Sequence, residues 1–201
     1  MGALVYGILA LSVVSASAGE ELPATLLEAD GDRVIATTVV PDDVRKVGEV
    51  RLVARGDATV VQTLLATRTL DRVVSEIRRK EEANWAAGDP QRASMERYLS
   101  SVFRIADALV AKREAQPDGD RRLRLLIEFV ASAGATGVLV GEFGGDEVDG
   151  RLRPTGRRPI ETFALPRAYV LRNMRLILAD SFHVPEADLG RLGPLGVIAA
   201  P

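Results

Sequence analysis

The chain has 201 residues, a formal net charge of −2 and no cysteine. The balanced charge argues against a nucleic-acid-binding protein, whose usual mark is a strongly basic face. The missing cysteine excludes disulfides, thiolate metal ligands and a cysteine nucleophile. A zinc site usually needs at least two His or Cys ligands, and His183 is the single histidine. We therefore expect no metal site and no cofactor.

The first 21 residues, MGALVYGILALSVVSASAGEE, contain an apolar run over residues 3–14. This run is too short to cross a bilayer, which needs about 20 apolar residues. It suits the apolar part of a secretory signal, and Ala16 and Ala18 form an A-x-A cleavage site. The sequence predicts a cleavable signal over residues 1–18 and a periplasmic or extracellular protein. A buried N-terminal helix or a retained interfacial anchor is the alternative.

Four strands are predicted in the first third of the chain, at residues 22–29, 33–40, 49–55 and 59–69. Asp30-Gly31 and Gly56-Asp57 separate them in pairs, and such dipeptides favour tight hairpin turns because glycine tolerates a positive φ. Residues 59–69 are rich in Val, Thr and Leu on both faces, which predicts a central, well-covered strand.

Two helices follow, at residues 70–86 and 91–115, because the apolar spacing changes from two to about 3.6 residues. Gly88-Asp89-Pro90 and Pro117-Asp118-Gly119 mark their ends. The apolar face of the second helix comprises Met95, Tyr98, Leu99, Val102, Phe103, Ile105, Ala106 and Leu109.

Two further strands are predicted at residues 121–132 and 135–143, with a short third strand at 160–164. A helix is the alternative for 121–132. A C-terminal helix begins near Pro166 and stops before Pro185. The Gly- and Pro-rich stretch 144–159 is expected to be a mobile surface loop, and 193–201 a loose tail. The sequence thus predicts a single α+β domain over residues 19–201, with helices packed on one face of a mostly antiparallel sheet.

The candidate ligand-binding residues are Trp85, Tyr98, Tyr169 and Arg172. A tryptophan at a helix end can close an apolar pocket, with its indole N–H available to orient a ligand. The alternative is that Trp85 is a core anchor beneath the turn between the two helices.

The densest basic patch comprises Arg151, Arg153, Arg157 and Arg158. Such a patch could hold an anionic lipid headgroup, a phosphate or a partner protein. The alternative is a solvated, charged loop without a binding role.

Residues 59–195 contain a strand, a helix ending EANW, a second helix, the string GDRRLRLLIEF, a strand and a terminal helix. In this order of elements and short strings, the chain resembles the chalcone-isomerase-like group, whose members include fatty-acid-binding proteins as well as enzymes. The resemblance implies a similar fold. The start of the mature chain departs from that group's pattern, and fold alone does not define function, so no residue role is carried over.

The leading hypothesis is an exported, soluble, non-catalytic protein that binds a small apolar or amphiphilic ligand or an envelope partner. The second hypothesis is a cofactor-independent isomerase or hydrolase that uses Glu81, Tyr98 or Tyr169. A third is a structural or assembly protein of the cell envelope that holds its partner through the basic patch. No motif in the sequence identifies a substrate.

Overall fold

The computed structural model describes residues 22, 31–40, 48–67, 70, 72, 74–76, 78–79, 92–115, 123–148 and 151–183. The elements in these ranges are β1 (Arg33–Val40), β2 (Gly48–Arg55), β3 (Ala58–Ala66), α1 (Arg92–Ala115), β4 (Leu123–Ala131), β5 (Thr136–Val148), β6 (Arg151–Phe163) and α2 (Arg167–Phe182). A further helical segment is described between residues 70 and 79. The α+β class is confirmed. The signal segment 1–18, the predicted strand 22–29 beyond Leu22, and the tail 193–201 lie outside the described residues.

The six strands form one antiparallel sheet in which neighbours along the chain are also neighbours in space, from β1 to β6. Gly56 and Asp57 make the turn between β2 and β3, and Gly56 has a φ of 58°, which glycine adopts readily. β3 is third in the order, and its side chains are buried on both faces. The predicted hairpin and central strand are therefore confirmed.

The main core lies between the helices and one face of the sheet. The apolar face predicted for α1 is buried there, with Phe103 packed at its edge, against Leu125, Ile127 and Phe129 of β4. α2 adds Val170, Met174 and Leu178. Removal of this apolar surface from water supplies the main force that joins the two layers. None of the helices in the described ranges combines the length and apolar composition that a membrane crossing requires.

The bounds of α2 follow from its end residues. Val170 donates its N–H to the carbonyl of Pro166 at 3.1 Å, which closes the first turn. At the other end His183 has φ 54° and ψ 28°, the left-handed conformation in which helices commonly stop. The predicted end of this helix before Pro185 is confirmed.

The strands β5 and β6 correct the prediction of a loop over residues 144–159. Their pairing contains two register shifts, one after Val140 and one after Gly144. Pro159 and Pro154 are the first paired residues of β6 beyond these shifts. A proline lacks the N–H of a regular ladder, so it is accommodated at edge strands and bulges. Pro154, Gly156 and Pro159 belong to the irregular edge strand β6, and Gly144 and Gly145 belong to its neighbour β5. Residues 149–150 lie outside the described ranges.

We predict that Gly141→Ala destabilises the sheet at the first register shift. A Cβ at Gly141 would lie 2.3 Å from the carbonyl oxygen of Arg158, whereas nothing lies within 4 Å of a Cβ at Gly134 in the β4–β5 turn. The backbone of β6 must therefore move, at a cost of about 1–3 kcal/mol. Urea unfolding followed by circular dichroism measures the change, with Gly134→Ala as the control. Equal midpoints for the two variants would contradict the described pairing of β5 with β6.

Candidate functional site

An ion cluster lies on the sheet face opposite the helices. At its centre is Glu128, a residue of the otherwise largely apolar strand β4, with a fully buried side chain (0 % exposed). Two apolar clusters share this face, one formed by Leu22, Val53, Ala58, Val60 and Val130, and the other by Leu64, Leu126, Leu139 and Phe143. A charge in such surroundings needs several partners, because an unpaired buried charge is very costly.

The Glu128 carboxylate accepts at least five hydrogen bonds. Gln62 Nε2 donates to Oε1 at 2.7 Å, and Arg55 donates from Nη1 and Nη2 to the two oxygens at 3.2 Å each. Arg157 donates from Nε to Oε1 at 2.8 Å and from Nη2 to Oε2. Arg55 also binds both carboxylate oxygens of Asp32, at 2.6 and 2.7 Å. These five residues are called the Glu128 cluster below.

The two arginines reach Glu128 from opposite sides and from opposite directions along the strands. Arg51 of β2 is level with Glu128 in the strand register, and Arg55 lies four residues further along β2. On the other side Thr162 is level with Glu128, and Arg157 precedes Thr162 by five residues on β6. In a flat sheet, each arginine Cα would be roughly 16 Å from the Cα of Glu128. The contacts therefore indicate that the sheet is strongly twisted, which brings both arginines closer to Glu128.

The cluster contains two cations and two anions, and the pKa values of Arg55 and Glu128 are both shifted in the direction that keeps these groups charged. Burial lowers the pKa of Arg55, but its hydrogen bonds to Asp32 and Glu128 outweigh burial and raise that pKa above its ordinary value. Burial raises the pKa of Glu128, but hydrogen bonds from Arg157 and Arg55 and their charges hold it below its ordinary value. Both groups are therefore charged at neutral pH.

This geometry favours a structural role for the Glu128 cluster. A carboxylate has about four lone-pair sites, and the protein's own donors use those of Glu128. A general acid or base works best with a pKa near the working pH. The pKa of Glu128 and that of Arg55 are both displaced away from neutrality, so the cluster holds its charges rather than exchanging protons.

We predict that Glu128→Gln lowers the free energy of unfolding by about 3–5 kcal/mol, because removal of one partner leaves the others buried and uncompensated. The matched control is Glu76→Gln. Glu76 forms an exposed ion pair with Arg79 at 2.9 Å, and such pairs contribute little. Guanidinium unfolding of both variants at pH 7 measures the difference. A similar loss of stability in the two variants would remove the structural role of the cluster.

The lowered pKa of Glu128 predicts that the free energy of unfolding decreases in acid. Because the folded pKa of Glu128 is lowered, its contribution is fully present above the unfolded-state pKa and is lost as pH falls through the folded value. The free energy of unfolding of the wild type should therefore decrease below about pH 5, and that of Glu128→Gln should decrease less. Chemical unfolding at a series of pH values tests this. Parallel curves for the two proteins would contradict it.

A second feature is an open groove between α1 and the end of β6. Its volume is about 720 Å³, within the range of roughly 300–1,000 Å³ that is typical of small-molecule sites. The lining residues are Ala93, Glu96, Arg97, Ser100, Ser101, Arg104, Glu161 and Phe163. The groove thus combines a mainly apolar wall with charged side chains at its rim.

The apolar wall of the groove is held by the core behind it. The ring of Phe163 packs edge-on against Tyr98, with ring centroids 5.7 Å apart and an interplanar angle of 69°. Tyr98 itself is buried in the main core. Aromatic pairs prefer this arrangement, so the wall is a rigid surface.

The rim of the groove carries both signs of charge. Arg104 forms an ion pair with Glu161 across the groove, and the two side chains are 61 % and 36 % exposed. Arg97 donates to Ser94 Oγ at 3.4 Å. In the groove floor, Ser101 is 3 % exposed, and its hydroxyl has no hydrogen-bond partner among the described residues. The hydroxyl of Ser101 is therefore a buried polar atom beneath the groove surface, and the charged side chains lie at the open rim.

The sequence-predicted ligand residues are only partly brought together. Tyr98 and Tyr169 both contribute to the main core, the latter with partial exposure. Arg172 is exposed on α2 and is absent from the groove lining. Trp85 and Glu81 lie outside the described residues.

The predicted basic patch is divided by the alternation of β6. Arg157 points to the Glu128 cluster, whereas Arg158 is exposed, with a nitrogen 3.6 Å from Glu142. Arg151 and Arg153 belong to β6, where only their backbone is described. The four arginines therefore belong to one strand, and Arg157 and Arg158 point to its two opposite faces.

Sequence reasoning missed the Glu128 cluster and most of the groove. An acid in the apolar run LRLLIEFVA is the one signal that could have pointed to Glu128, because a charge in a buried strand must be paired. The groove residues 93, 97, 100 and 104 recur at helical spacing. Small and charged residues at that spacing also mark an ordinary solvated face, so the pattern alone does not identify a site.

Within the described residues, no three His, Asp or Glu side chains are grouped as a metal ion would require. Comparisons of the chain with protein-family models, with curated proteins and with solved structures gave no match.

Proposed function

We propose that this protein is an exported, non-catalytic binder of a small amphiphilic ligand, and that the groove between α1 and β6 is its binding site. The groove itself is the observation that carries the proposal. An apolar wall formed by Phe163 and Ala93 lies beside a rim of charged side chains. This pairing suits a molecule with an apolar body and a polar end.

The Glu128 cluster supports binding over catalysis. Its ionisable groups are saturated by one another, and the pKa shifts of Arg55 and Glu128 keep both charged. The groove offers arginines, glutamates and serines at an open surface, which are groups that orient a ligand.

An extracytoplasmic location is part of the proposal and is supported by the sequence alone. The apolar run 3–14 and the site Ala16-x-Ala18 are typical of a secretory signal. The mature chain has no cysteine, so its stability does not depend on the redox state of its compartment. The first residue of the secreted protein, expected to be Gly19, is the direct check.

We predict that a neutral amphiphile, decanol, binds saturably in the groove. Titration of the isotope-labelled protein should shift the amide signals of residues 93–104 and 161–163. Ala93→Trp fills the groove and should abolish binding, because Ala93 is exposed and lines it. Ala108→Trp places the same side chain at an exposed α1 position outside the groove lining, and should bind normally.

Equal binding by these two tryptophan variants, or shifts spread over the whole sheet without saturation, would contradict the groove as the site. Thermal unfolding of each variant establishes that the fold is retained, so that a loss of binding is not a loss of structure.

A further inference from the structure

We infer that the ligand of the groove carries a single anionic group, a carboxylate or a phosphate, which binds between Arg97 and Arg104 of α1. This inference rests on the proposed function and names the class of ligand.

The spacing of the two arginines forms a notch of the right size. Seven residues are close to two helical turns, so Arg97 and Arg104 lie on the same face of α1 with their Cα atoms about 10 Å apart. Ser100 is exposed on the helix surface between them and also lines the groove. Because serine is small, the space between the two guanidinium groups stays open. A guanidinium binds carboxylate and phosphate oxygens through paired N–H donors.

The partners of the rim charges favour an anion over a cation. In the described part of the structure, Arg97 donates to the neutral hydroxyl of Ser94, so its positive charge lacks a carboxylate there. Glu161 is paired with Arg104, and Glu96 also takes part in an interaction. Among the rim charges whose partners the described residues show, the positive charge of Arg97 is therefore the one that an anionic ligand can pair with.

The ion pair between Arg104 and Glu161 can give way to a ligand. Both side chains are substantially exposed, and exposed pairs contribute little to stability. An anion in the notch would bind Arg97 and share Arg104 with Glu161. Glu96 and Glu161 would repel a ligand with several anionic groups, which is why we expect only one such group.

The test compares four ligands that share a ten-carbon chain: decanoate, decyl phosphate, decanol and decyltrimethylammonium. Both anions should bind about tenfold more tightly than decanol, and the cation more weakly than decanol. The tighter of the two anions identifies the carboxylate or phosphate class. Raising the salt concentration should reduce the advantage of the anions and leave decanol unaffected.

Arg97→Gln and Arg104→Gln should each remove most of the preference for anions, measured in each variant as the ratio of anion affinity to decanol affinity. Arg33→Gln is the matched control, because Arg33 is an exposed arginine of β1, at the opposite edge of the sheet from β6. It should retain the full preference. Thermal unfolding confirms that all three variants are folded.

The outcomes separate the two proposals. If all four ligands bind equally, or if the arginine variants keep the preference, the anion inference is wrong and the groove remains a binding site. If no decyl compound shifts the groove residues, the proposed function itself fails, and the anion inference fails with it.

Discussion

The fold depends on one requirement, that the buried charge of Glu128 be balanced. The carboxylate lies in the middle of the sheet, and the arginines that balance it, Arg55 and Arg157, lie two strands away on either side and at different levels along the strands. Only a twisted sheet brings these three together. The twist in turn depends on register shifts in the edge strands and on Gly141, where β6 passes too close for a side chain. Charge balance, backbone irregularity and sheet shape are therefore one linked property.

Local patterns in the sequence predicted most of the fold. Gly56-Asp57 marked a hairpin, and the apolar spacing of α1 and α2 identified the faces that form the core, because these features depend only on near neighbours in the chain. The stretch 144–159 was predicted wrongly for the same reason. Glycine and proline disfavour a regular strand, but an edge strand with two bulges accommodates both.

The candidate site was less accessible to sequence reasoning. The contact between Arg55 and Glu128 joins residues 73 positions apart, and no local pattern encodes it. Tyr98 was selected as a ligand residue, but its ring supports the groove wall from behind through Phe163. The groove requires the end of β6 to lie beside α1, which follows from strand order rather than from the composition of either element.

The two prolines of β6 also affect whether copies of the protein can aggregate through this edge of the sheet. β6 is an edge of the described sheet, and an edge strand is where a foreign strand can add and start a fibre. At Pro154 and Pro159 the backbone has no N–H to offer, and the bulges beside them break the regular spacing that an incoming strand would need. This edge is therefore a poor template for polymerisation.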